Sequence, residues 1–106
     1  MHPSVQTYAG TLAKLVELMQ AHPDPQWTPW MVEADRLRRE GDVVASARKV
    51  LGAFGGMGSI LDSYQLLCAS PAAYDEFEKL AHLLYDEARV VKQRSSKLGR
   101  FLHDHL

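Results

Sequence analysis

The sequence predicts an all-α protein, a compact helical bundle of four to five helices closed by a long C-terminal helix. Three observations predict it. Apolar residues recur at steps of three and four along most of the chain. Paired stop-and-start signals, Thr28-Pro29, Gly41-Asp42 and Ser70-Pro71, punctuate that pattern. The chain has 106 residues of which 46% are apolar, enough for one buried core and too few for two, so residues 1–106 read as a single domain.

Val5, Tyr8, Leu12, Leu15 and Met19 place one apolar stripe on a first helix from about Ser4 to about Ala21, ended by His22-Pro23-Asp24-Pro25. Thr28 and Pro29 read as N-cap and first residue of a second helix, with Trp27 folded over Val32 as a staple. Its inner stripe is Trp30, Met31, Ala34 and Leu37. Its charges point mostly elsewhere, Asp35 to Arg39 and Arg36 to Glu40 being four-residue pairs. Gly41 can take the left-handed conformation that closes this helix while Asp42 caps the next, giving a tight hairpin. The third helix buries Val43 or Val44, Ala47, Val50, Leu51 and Phe54 and stops at Phe54-Gly55-Gly56-Met57-Gly58-Ser59. Ser59 and Asp62 resemble a capping box opening a fourth helix, Ile60 to about Cys68.

Ser70-Pro71 opens the longest element, expected to run to about Leu98. Tyr74, Phe77, Ala81, Leu84, Ala88, Val91, Ser95, Leu98 and Leu102 form a heptad-like seam. Leu80, Leu83 and Tyr85 widen it in the first half, which reads as the central core helix. Past Val91 the flanks are Lys92, Gln93, Arg94, Ser96 and Lys97 and the stripe narrows to a single file, so this part either projects or meets something else. Gly99 offers a stop, leaving residues 99–106 as a tail free to move.

Composition excludes several functions. Twelve Lys and Arg against 13 Asp and Glu give a net charge of −1, so no global field draws the chain to nucleic acid or an anionic membrane. The single cysteine, Cys68, makes no intramolecular disulfide, and Met1-His2-Pro3-Ser4 lacks the basic and apolar regions of a secretory signal. These point to a reducing, cytoplasmic setting. No apolar run approaches the roughly 20 residues that span a bilayer.

Several clusters invite a chemical reading. The amides around Gly55, Gly56, Gly58 and Ser59, with Asp62, could hold a phosphate or carboxylate at a helix start. The run is neither a P-loop, since no Lys precedes the Ser, nor a dinucleotide fingerprint. The plainer account is a helix cap and tight corner. Glu78, His82 and Asp86 share one helix face, but nothing completes a metal site, and a solvated face with stabilising pairs explains them. His103 and His105 lie two apart, a step that does not share a face. Ser59, Ser63 and Cys68 have no histidine between His22 and His82 and sit in no nucleophile elbow. Trp27 and Trp30 could stack on a base or sugar, but a capped helix start favours packing.

Arg89, Lys92, Arg94, Lys97 and Arg100 stand against Asp104 alone in the last stretch. Complementing the helix dipole explains the final three or four, as Asp75, Glu76 and Glu78 complement its start. The whole run, with Leu98, Phe101, Leu102 and Leu106, also suits docking to an acidic partner.

Trp27 and Trp30, Gly41-Asp42 and Ala53-Phe54-Gly55-Gly56-Met57-Gly58-Ser59 resemble an uncharacterised family of small bacterial proteins with a W-x-x-W, G-D and F-G-G-M-G-S pattern. The likeness covers about residues 27–63. Asp62 matches, whereas Leu61 stands where that family usually has Asn. The resemblance implies a bacterial source and no settled activity.

The expectation is therefore a non-enzymatic interaction protein of the immunity or antitoxin type that binds and neutralises a partner protein, with no cofactor, no metal and no nucleic-acid or membrane partner. Its contact surface is expected at Arg89, Lys92, Arg94, Lys97, Phe101 and Leu102, with Asp75, Glu76 and Glu78 as a second patch. The alternatives are an anion- or nucleotide-binding domain or small enzyme using Gly55 to Ser59 and Asp62, and a homodimer built on the seam.

Overall fold

The computed structural model describes residues 5–55, 58–64 and 70–105, with the backbone alone for Val5 and residues 95–105. Five helices follow in order: α1 (Val5–Ala21), α2 (Trp27–Arg39), α3 (Val43–Gly52), α4 (Ile60–Ser63) and α5 (Pro71–His105). No strand occurs among the described residues. The protein is an all-α bundle with a long C-terminal helix. α1 packs on α2 and α5, and α3 packs on the same two, so the four longer helices close a ring around one core.

That core is the meeting of the predicted stripes. Tyr8, Leu12, Leu15, Val16 and Met19 of α1 meet Met31 and Ala34 of α2, Ala47 and Val50 of α3, and Phe77, Ala81, Leu84, Ala88 and Val91 of α5, all buried. Each large apolar side chain so buried contributes about 1.5–3 kcal/mol. The α5 seam is thus consumed in the protein's own interior from Phe77 to Val91.

Three ends differ from the expected ones. α2 begins at Trp27 because Asp24, not Thr28, caps it: the Asp24 carboxylate accepts from the amides of Gln26 (2.9 Å) and Trp27 (2.8 Å). The Thr28 hydroxyl instead reaches back, accepting from the Asp24 amide at 2.8 Å. α4 is only four residues long and Tyr64 is already extended, so the helix expected to run to about Cys68 stops at Ser63. The reason is that Ser63 turns its hydroxyl onto the Gly58 and Ser59 carbonyls (3.2 and 2.8 Å), while Tyr64 packs on Phe77 at 4.6 Å and donates to the His22 carbonyl at 2.6 Å. Cys68 lies outside the described residues. Gly99 does not end α5, whose backbone continues to His105.

The α2–α3 hairpin follows the expected design. Gly41 has φ +92°, its amide bonds the Arg38 carbonyl, and the Asp42 amide bonds the Leu37 carbonyl, a Schellman closure. The Asp42 carboxylate then accepts from the Ala45 amide at 3.2 Å and starts α3. Ser70 likewise caps α5, accepting from the Ala73 amide at 3.2 Å.

Candidate interaction surface

α5 positions every residue of the expected docking surface. Its 35 residues make a rod about 52 Å long, nearly the full 54 Å of the molecule. Asp75, Glu76 and Glu78 are exposed near its start; Glu78 approaches His82 to 3.9 Å on the same outer face. Arg89 is exposed with its guanidinium 5.7 Å from the Tyr85 ring, a cation–π approach that leaves the charge in water. Lys92, Gln93 and Arg94 are exposed in succession. Three consecutive helical positions sweep about 200° of circumference, so at residues 92–94 more than half the perimeter of the helix is uncovered. Lys92 and Arg94 have no ion pair among the described residues. The side chains of Lys97, Phe101 and Leu102 lie outside them, although the helix backbone carries these positions onward along the same rod.

On α2, by contrast, the charges are paired within the chain. Arg36 bridges Glu33 and Glu40 on the surface of α2, and Asp35 holds Arg38 at 2.6 Å and Arg39 at 3.4 Å. The Arg36–Glu40 and Asp35–Arg39 pairs are the expected ones. Asp35, however, is buried rather than solvated, and two guanidiniums compensate its charge.

The glycine corner is shaped by backbone conformation and short-range hydrogen bonds. Gly58 takes φ +77°, which explains the glycine, while a Cβ at Gly55 or Gly58 would meet nothing within 4 Å. Neither position is therefore a close approach of two backbones. Gly56 and Met57 lie outside the described residues. Just past the corner, Ile60 donates to the Ala53 carbonyl at 2.8 Å, and Asp62 and Ser63 donate to the Ser59 carbonyl at 3.0 and 2.9 Å. Ser59 is buried and its hydroxyl caps nothing, and Asp62 is exposed, so the expected capping box does not form. The tryptophans are structural ties. Trp27 is buried and donates from Nε1 to Ser63 Oγ at 2.7 Å, fastening α2 to α4; Trp30 donates to the Lys49 carbonyl at 2.7 Å, fastening it to α3.

One polar cluster was not anticipated from the sequence. Tyr8 Oη lies 2.7 Å from Ser46 Oγ, which lies 2.7 Å from the Ala34 carbonyl, all three buried. A carbonyl only accepts, so Ser46 donates to Ala34 and Tyr8 donates to Ser46, a directed chain across α1, α3 and α2. Burial pushes the Tyr8 phenol up to about 12. Beside it, Glu87 of α5 is fully buried. The signal was present in the spacing: Ser46 is four residues before Val50, and Glu87 is three after Leu84 and four before Val91, so both fall on apolar stripes.

No curated protein and no solved structure matches the chain. Residues 20–65 match the model of a family described as Domain of unknown function (DUF6966), a span that takes in the end of α1, the α2–α3 hairpin, the glycine corner and α4 and leaves the whole of α5 outside. The hairpin and corner that build the body are thus similar to that uncharacterised family, whereas the helix bearing the candidate surface lies beyond the matched segment.

Proposed function

We propose that this is a non-enzymatic bacterial interaction protein of the immunity or antitoxin type, which binds and neutralises a partner protein through the basic end of α5. The observation that carries the reading is the stretch of α5 just past Val91, where Lys92 and Arg94 are exposed and have no ion pair among the described residues, while the charges of α2 are compensated inside the chain. An acidic face on the partner would complement it, and unpaired charge of one sign raises encounter rate and fixes orientation more than it adds contact energy. Asp75, Glu76 and Glu78, about 20 Å or more away along the same helix, offer the opposite sign to a basic part of the target.

The test is affinity capture from the source cell with the wild-type chain and with a variant carrying Arg94→Glu, Lys97→Glu and Phe101→Ala, followed by titration of the captured protein. The reading expects one acidic protein whose affinity falls at least tenfold in the variant and weakens with added salt. Equal affinity for wild type and variant would reject the surface. A partner neutralised by binding would also lose its own activity on addition of this protein in equimolar amount.

A further inference from the structure

Glu87 has no role in the docking surface, and no cation among the described residues acts on it. It is 0% exposed, and neither carboxylate oxygen has a hydrogen-bond partner among the described residues. The groups that act on it are Thr11 of α1 and its own neighbour Asp86, and it acts in turn on Tyr8. Asp35 and Arg38 of α2 also reach Tyr8 electrostatically, and from α3 no titratable group among the described residues acts on Glu87.

The directions of the neighbouring hydrogen bonds decide which form of Glu87 fits. Tyr8 has committed its proton to Ser46, and the Thr11 hydroxyl donates to the Thr7 carbonyl at 3.1 Å. Both oxygens retain lone pairs and no spare hydrogen. A carboxylate needs several donors and none is bonded to it, whereas a carboxylic acid carries its own proton and leaves far less polarity unmet. Removing a carboxylate from water without donors or a cation is costly, whereas the neutral acid is tolerated.

We propose that Glu87 is a proton-operated latch of the α1–α5 interface: as the neutral acid it lets α1 stay seated on α5, and on ionising it opens the interface around Tyr8 and Thr11. Burial pushes the Glu87 carboxyl above the usual range; the nearby Thr11 hydroxyl opposes the rise and Asp86 adds to it. The sign follows. The closed interface holds the proton more tightly than the opened one, so closure is strongest at low pH and weakens as pH climbs from the ordinary carboxylate range through the raised value, then levels off.

Hydrogen exchange of the intact chain, measured across pH and corrected for the intrinsic exchange rate, reads this directly. In the wild type the opening constant of amides in residues 8–19 should rise by up to about tenfold per pH unit within that window, while residues 28–39 of α2 stay level. Glu87→Gln should remove the slope. The same slope in Glu87→Gln, or an equal rise in α2, would overturn the latch. Should Glu87→Gln fail to fold, a carbon-detected titration of the wild-type Glu87 carboxyl decides: a midpoint above the ordinary value of about 4.3 supports the latch, and one at that value overturns it.

Discussion

At the scale of single residues, the consequential positions are those where a local rule is broken for a reason visible in the neighbours. Tyr8 is a phenol shut off from solvent. Its folded value of about 12 exceeds the ordinary 10.0, so the folded state keeps a proton that the unfolded chain releases. Stability tied to Tyr8 is therefore intact below pH 10 and lost as pH rises toward 12, on the order of 2 kcal/mol. Tyr8→Phe should remove that alkaline loss while costing about 1 kcal/mol at neutral pH for the missing bond to Ser46; urea denaturation of both proteins at pH 7 and pH 11 checks the crossover. Glycines separate in the same way. Gly41 sits at φ +92°, so Gly41→Ala should destabilise by about 1 kcal/mol. Gly10 lies exposed inside α1, with nothing within 4 Å of an added Cβ, and Gly10→Ala should stabilise by about 0.5–1 kcal/mol. Thermal melts should move in opposite directions. Asp35, Ser46 and Glu87 were illegible for one common reason: residue type argued for the surface while spacing argued for the core, and type was given the greater weight.

At the scale of elements, periodicity was a reliable guide and chain ends were not, because an end is set by partners that sequence distance hides. The stripe of α1 and the Schellman closure at Gly41-Asp42 depend on residues within one or two turns, and both were readable. The close of α3 depends on Trp30, 19 residues away from Lys49: the Lys49 carbonyl belongs to the last turn of α3, where backbone acceptors run out of helical donors, and the indole Nε1 supplies one at 2.7 Å. Lys49 Nζ returns the contact, lying 3.8 Å from the ring centroid. Trp30→Phe keeps a ring but deletes the donor, so it should cost about 1–2 kcal/mol. The loss should appear as faster amide exchange at the end of α3 before the rest of the bundle is affected. Gly52 fits the same junction, since a Cβ there would come within 3.1 Å of Trp30 Cζ2. The corner after it was legible as a turn and misread in mechanism: the left-handed Gly58 and the Ser63 hydroxyl shape it, with no help from a Ser59 cap.

At the scale of the whole molecule, the core and the proposed docking surface draw on different parts of α5. From Phe77 to Val91 its inner face is core, so that length of the seam is occupied by the protein's own α1 and α3. Beyond Val91 the described side chains are exposed, and their charge does nothing evident for the body. Reversing Lys92 and Arg94 to Glu should therefore leave the urea midpoint within about 0.5 kcal/mol of wild type, as expected for surface positions away from caps and pairs. The same double variant should lose most of the salt-dependent part of partner binding. A large loss of stability would instead mean that these cations hold the helix to the bundle, and the division of α5 into a core half and a docking half would fail. The contrasting control is Leu84→Ala, fully buried on the same helix, which should cost about 2–5 kcal/mol and weaken binding only through unfolding. On the proposed reading the two variants separate because one helix is interior along one half and recognition surface along the other, and only the first half is specified by the core.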